Sequence, residues 1–214
     1  MNSIFDLLLR IPPFQGVSLA TLERIIGNVK FDFRKYSHGE VVVRTGEACD
    51  SLIIVLSGDA RAVRTFPERN LTVGQTLSAP AVIAPEHLFG LSTEAPYTLM
   101  ALTPLSVLRI PKADYVRILS TDPIFLFNYL NLLSLKAQAA SASDCFAYNL
   151  PAAERIMHTI RGLELPGGTD FTLAVHEGTL AGVFALEGAE FRRAAESLLI
   201  RKLVRSYTMT ELNV

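Results

Sequence analysis

Tryptophan is absent from the 214 residues, cysteine occurs only twice, and charged side chains make up just 19%. Cys49 and Cys145 lie far apart and neither has a CxxC partner, which excludes a disulfide framework and a zinc-ribbon type of site. A reducing cytoplasm is therefore the expected compartment. No segment reaches the roughly 18 consecutive apolar residues that a membrane span needs, so no membrane partner is expected. The opening MNSIFDLLLR carries Asp6 inside its apolar stretch and no basic residue ahead of it, unlike a secretory signal. Long polar or low-complexity stretches are also missing, which excludes a disordered tail or linker array.

The common catalytic signatures are missing too. There is no P-loop, no GxSxG and no GxGxxG, and His176-Glu177 opens an HExxH-like string whose second histidine position holds Leu180. Neither cysteine has a base near it in sequence, which leaves nucleophilic catalysis unsupported. His38, His87, His158 and His176 are scattered. An enzyme, a cofactor and a metal site are accordingly not expected. What is present is a chain 50% hydrophobic, with 20 Lys plus Arg against 21 Asp plus Glu, enough for one large globular domain or two small ones.

Three textures follow one another. Over 4–30, Ile4, Leu7, Leu8, Leu22, Ile25 and Ile26 recur at helical spacing around Pro12-Pro13, which predicts two short helices with a break. From Phe31 to Ile110 short β-branched runs (VVVR at 41–44, LIIVL at 52–56, ARAVR at 60–64, YTLMAL at 97–102, SVLRI at 106–110) alternate with Gly39, Gly46, Gly58 and Gly74. This predicts a small antiparallel roll or barrel. Asp122-Pro123 then opens a stretch without internal Pro or Gly as far as Tyr148, predicted as one long helix that Asp122 caps.

In that helix Leu126, Leu130, Leu133, Ala137 and Ala140 form one apolar stripe, and Phe125, Tyr129, Leu132 and Leu135 a second. Two stripes suit either a helix buried on both sides within one chain or a helix packed on its own domain and on a partner helix. Beyond Pro151 the pattern gives a helix at 152–163, a turn at Leu165-Pro166-Gly167-Gly168, and the apolar stretch FTLAV. Two helical segments, 177–184 and 187–200, come next, joined by a short turn as in a helix-turn-helix. The tail suits a small β wing.

HGEVVVRTGEACDSLIIVLSGDARAV at 38–63 resembles the glycine-punctuated roll of the cyclic-AMP receptor protein and FNR family of bacterial regulators, and IFDLLLRIPPFQGVSLATLERI resembles its leading helices. The order roll, long helix, helix-turn-helix extends the resemblance over nearly the whole chain. It implies an α+β fold: an antiparallel β-roll of the cyclic nucleotide-binding-like jelly-roll type with flanking helices, a long dimerisation helix and a C-terminal winged helix. The divisions implied are 1–120 for the sensor roll, 121–150 for the dimer helix with Leu126, Leu130, Leu133, Ala137 and Ala140 as its seam, and 151–214 for the winged helix.

Family members that bind cyclic nucleotides hold the ribose with the glutamate of an F-G-E segment and the phosphate with the arginine of an R-S/T-A segment. An arginine suits that task because its guanidinium forks onto phosphate oxygens. Here EAPYTLMAL puts Ala95 and Pro96 at the Arg-Ser place, VGQTLSAP puts Ala79 near the glutamate place, and Leu91 follows the LFG of 88–90. No lysine or arginine occurs between Arg69 and Arg109, so a phosphate would lack its counter-charge and a cyclic nucleotide is not the expected effector. A less charged small-molecule effector near Ala79, Tyr97 and Ser141 is one expectation, a pocket filled by side chains the other. Iron–sulfur sensing needs a set of thiolates that two distant cysteines cannot supply.

The family's recognition helix commonly carries S-R-E-T-V-x-R, whose first arginine and glutamate touch bases. This chain has Glu187-Gly188-Ala189-Glu190-Phe191-Arg192-Arg193 there. Gly188 and Ala189 replace the two base readers, Arg193 matches the last arginine, Arg192 adds a cation, and His176 matches a phosphate contact at the preceding helix start. From residue 150 onward seven basic side chains face eight acidic ones, a weak electrostatic basis for DNA unless the charges segregate. The expected function is a homodimeric regulator that binds a palindromic site in double-stranded DNA; the alternative is an interaction or small-molecule-binding module that keeps the fold without DNA binding.

Overall fold

Pro12 and Pro13 divide the leading region as their missing amides require. Helix α1 spans Ile4–Leu8, a short 3₁₀ turn spans Pro12–Phe14, and α2 spans Leu19–Ile26, where the Ser18 side chain accepts a hydrogen bond from Thr21 N. The structure, a computed structural model, describes residues 4–143 and 149–214. It resolves into two compact units, one formed by residues up to Ala60 together with Leu77–Lys136, the other by Arg61–Thr76 together with Ala137–Val214.

In the first unit, β1 (Asp32–Tyr36), β3 (Ser51–Ser57), β6 (Ala81–Ile83) and β8 (Leu105–Pro111) form an antiparallel sheet in the order β1-β8-β3-β6. Strands β2 (Val41–Val43) and β7 (Thr98–Ala101) pair antiparallel beside a register shift. Gly39 and Gly46 take φ of +82° and +81°, the left-handed backbone that the tight turns need. Successive strand residues face opposite sides. Leu52, Ile54 and Leu56 of β3 therefore join Leu108 and Ile110 of β8 in a core with Leu8, Phe14 and Leu22, while Ile53 points into the roll.

Helix α3 (Lys112–Thr121) ends at Asp122, whose Oδ1 accepts from Ile124 N at 3.0 Å, and α4 (Pro123–Ser143) follows. The start of the long helix is as the Asp-Pro pair predicts. Its predicted continuation over 144–148 lies outside the described residues.

The second unit contains α5 (Ala152–Leu163), β9 (Gly168–Val175), α6 (Leu180–Val183), α7 (Gly188–Ile200), β10 (Ser206–Tyr207) and β11 (Glu211–Asn213). Its core joins Ile156 and Ile160 of α5 to Phe171 and Leu173 of β9 and to Phe184, Phe191, Ala195 and Leu198. Two findings differ from the sequence reading. The first helix of the α6–α7 pair does not begin near Glu177, because Gly178 takes φ +85° and a helix cannot pass through that backbone. The division at residue 120 also does not follow the packing. Strands β4 (Asp59–Phe66) and β5 (Leu71–Ser78) run from the first unit into the second, and in the second the sheet order is β10-β11-β9-β5-β4.

The hairpin is built into that second unit by its own side chains. Leu71 and Val73 lie in the core with Phe171 and Leu173. Arg61 donates to Asp170 O at 2.7 Å and to Thr172 Oγ1 at 2.8 Å. Buried Gln75 is satisfied twice by Leu165, accepting from its amide at 2.6 Å and donating to its carbonyl at 3.2 Å.

Candidate functional sites

The interior of the roll is the first place to look. Val43, Cys49, Ile53, Ala84, Pro85, Leu88, Ala95, Pro96 and Tyr97 line a cavity whose free volume is about 10 Å³, room for one water at most. Tyr97, 3% exposed, is the one aromatic side chain in its wall. No cation lines it. Burial pushes the Cys49 thiol up, with Asp50 and Glu86 adding to the effect, so the thiol stays protonated.

Tyr97 is thus in the cavity wall, whereas Ala79 is not. Ala79 sits in the connection from β5 to β6, cis to Pro80, and its amide donates to Gly58 O at 3.0 Å. The wall is supplied instead by the next segment, where Ala84 takes φ +42° ahead of the 3₁₀ turn Pro85–His87. The signal for this was the period-two register of β3, which puts Ser51 and Ile53 on one side, and the Pro85 that closes β6. The Ser141 side chain lies outside the described residues.

The segment Ala84–Leu88 is tied to α4 within the same unit. Tyr129 Oη donates to Pro85 O at 2.8 Å, and Lys136 pairs with Glu86 at 2.6 Å. Burial raises the Tyr129 phenol to about 12, with Glu86 contributing, so the hydroxyl remains a donor throughout the neutral range.

The first turns of helix α4 separate the two apolar stripes by environment, but Leu133 and Leu135 exchange roles further along. Phe125 and Tyr129 are buried in the core of their own unit, where Phe125 meets Phe14 edge to face. Leu126, Phe127, Leu130 and Leu135 are 43%, 62%, 46% and 63% exposed. Of the predicted seam, Leu126, Leu130 and Ala137 are exposed and Leu133 packs partly on the core; the Ala140 side chain lies outside the described residues. Among the described side chains, the Leu126 and Leu130 face of this helix is therefore not buried within the chain.

On α7, Phe191, Ala194, Ala195 and Leu198 face inward, leaving Ala189, Arg192, Arg193 and Glu196 outward. Arg192 Nε donates to Gly188 O at 3.3 Å. Gly188 is half-buried, and a Cβ there would meet only Met209 Cε at 3.7 Å. Arg201 and Lys202 follow the helix, both exposed, and with Arg193 they make no ion pair among the described residues. Four of the basic side chains of this unit, Arg192, Arg193, Arg201 and Lys202, are thus gathered at α7 and its end, while Arg69 and Arg161 are exposed elsewhere in it and Arg205 pairs with Asp170.

His176 is not at a helix start. It follows β9, its amide donates to Asn70 O at 2.9 Å and its Nε2 shares a 2.7 Å hydrogen bond with Thr72 Oγ1, so the hairpin fixes it. Among the described residues no three His, Cys, Asp or Glu side chains converge as metal ligands would. No single helix among them is long and apolar enough to cross a membrane.

Residues 33–122 match the family described as the cyclic nucleotide-binding domain. The fold is the cyclic nucleotide-binding jelly roll with flanking helices. Similar solved structures include the catabolite activator protein of Thermus thermophilus, at TM-score 0.50 and 19% identity over 95% of this chain and 93% of that one. The c-di-GMP responsive global regulator CLP of Xanthomonas campestris follows at 0.52 and 18%, over 91% and 98%. The sensor domain of the transcriptional regulator DNR of Pseudomonas aeruginosa gives 0.50 and 19%, over 62% and 91%. No curated protein matches the chain in sequence. In this chain Ala95 and Pro96 line the roll cavity, which no lysine or arginine lines and whose free volume is about 10 Å³.

Proposed function

We propose that the protein is a homodimeric, DNA-binding transcription regulator that acts in the cytoplasm and whose roll does not bind a cyclic nucleotide. The observation that carries this reading is the segregation of charge on the second unit. That unit is formally negative after residue 150, yet Arg193, Arg201 and Lys202, with Arg192 beside them, cluster on the outward face and end of one helix, while Arg161 stands apart on α5. A helix presented in this way suits the major groove, where arginine reads guanine and phosphates reward clustered positive charge. In this reading α6 and α7 are a helix-turn-helix and β10–β11 its wing.

The exposed leucines of α4 supply the dimer, and a two-fold dimer calls for a palindromic site. Leu130→Asp is expected to shift the protein from dimer to monomer by light scattering; an unchanged dimer would place the seam elsewhere. A small-molecule effector would have to open the roll interior around Tyr97, since the free space holds one water. The regulatory signal then comes from a protein contact, or from a ligand that binds outside the roll interior.

Selection of bound sequences from random duplex DNA, at low and at physiological salt, tests the proposal. A palindromic motif that disappears in Arg192→Ala/Arg193→Ala is the expected result. The second reading is an interaction module that has lost DNA binding. It draws on Gly188 and Ala189, which put no base-reading side chain on the first turn of α7, and no motif at either salt would favour it.

A further inference from the structure

Where β1, β3 and β8 end together, the first unit carries a second and larger concavity, a groove of about 320 Å³ lined by Lys30, Asp32, Arg34, Asp50, Ser51 and Arg109. Its size falls among the ligand pockets of proteins, roughly 300–1,000 Å³, and it contrasts with the closed roll interior next to it, whose wall shares Ser51. We propose that this groove binds a small oxyanion, a carboxylate or phosphate group carried by a polar molecule, through Arg109 and Lys30.

The charges decide the sign of the ligand. Arg34 holds Asp32 with Nε at 2.9 Å and Nη2 at 2.7 Å, so those two groups neutralise each other. Asp50 accepts the Ser51 hydroxyl at 2.8 Å. Two cations remain against that one carboxylate. Lys30 is exposed and makes no hydrogen bond or ion pair among the described residues. Arg109 donates from Nη2 to Val42 O, and its buried Nε has no acceptor.

The Arg109 Nε is sealed from solvent, so a ligand in the groove would meet the Nη edge of the guanidinium. Arg109 is held in place by the strand pairing of β8 with both β1 and β3, where it lies opposite Asp32 and Ile53. The hydrogen bond to Val42 O holds the guanidinium before a ligand arrives. The Asp32 carboxyl is held below its usual range, first by the Arg34 hydrogen bond, then by the Arg34 charge, with smaller contributions from the charges of Lys30 and Arg109. A planar carboxylate or a phosphate matches the guanidinium fork, and Lys30 adds a point charge to either.

The test is the melting temperature of the full chain titrated with inorganic phosphate and, separately, with malonate, each against sodium chloride at equal ionic strength. A saturable rise beyond chloride is expected with at least one of them, and which one distinguishes a phosphate from a carboxylate ligand. The concentration at half effect is expected to rise at least tenfold in Lys30→Gln, and the response to vanish in Arg109→Gln. Lys30→Gln carries the test alone if Arg109→Gln does not fold. Arg192→Ala/Arg193→Ala should respond like the wild type. The proposal is overturned if neither anion exceeds chloride, if Lys30→Gln leaves the midpoint unchanged, or if the response disappears in the α7 variant, which would move the anion to the other basic surface.

Discussion

Leu71→Ala is expected to destabilise the second unit by about 2–5 kcal/mol, the usual cost of removing a buried leucine side chain. Leu71 belongs by chain position to the roll, and a division at residue 120 would have this substitution weaken the roll alone. In the structure it is 2% exposed in the core that holds Ile156, Phe171, Leu198 and Leu212. The hairpin also supplies β5, the neighbour of β9, and the polar ties of half-buried Arg61 and of Gln75, which would otherwise be a buried group without a partner. Hydrogen exchange separates the two outcomes. Amides of α5, α7 and β9 should lose protection well before those of β3 and β8, and the reverse order would show that the hairpin is dispensable to the second unit.

Arg192→Ala/Arg193→Ala is expected to weaken binding to a selected DNA site by about 100-fold at physiological salt. A well-placed arginine contact to a base contributes about 1–3 kcal/mol, and each lost phosphate contact lowers the slope of log K against log salt by about one. Two exposed guanidinium groups on one turn of α7 support both effects. Of the acidic side chains there, Glu187 and Glu190 lie at the N-cap and first turn, where the helix dipole already favours negative charge, which leaves Glu196 as the one carboxylate further along the outward face. A salt titration by fluorescence anisotropy gives affinity and slope together. An affinity within threefold of wild type would remove α7 from the interface and leave the interaction-module reading in front.

The candidate sites were legible in the sequence to different depths, for a common reason. The exposed face of α7 follows from helical spacing once Phe191, Ala194, Ala195 and Leu198 are taken as the inward side, so Arg192 and Arg193 could be found without coordinates. Helix α4 was legible as two stripes, but only packing tells that Phe125 and Tyr129 meet the core and that Leu126 and Leu130 do not. The cavity wall was less accessible. Tyr97 was found through the segment that resembles a phosphate-binding stretch, while Ala79 was placed too near, because the distance along the chain from β5 to the cavity depends on where the Ala79-Pro80 turn falls. The groove around Arg109 carries no sequence motif, since Lys30, Asp50 and Arg109 are brought together by the pairing of β8 with β1 and β3.

By itself the amino-acid sequence determined the order of elements: leading helices broken at Pro12-Pro13, glycine-spaced strands, a long helix opened by Asp122, and a terminal helix pair with short strands. These are local consequences of periodicity, turn residues and capping, which act over a few residues. It also determined that no lysine or arginine lies between Arg69 and Arg109, because that is a matter of the residues present. The tertiary structure alone decided that the β4–β5 hairpin completes the second unit, that His176 bonds to Thr72 instead of opening a helix, and that the roll interior is closed. Each of these depends on pairing between residues tens to more than a hundred positions apart, and such pairing is settled by which surfaces fit together in three dimensions.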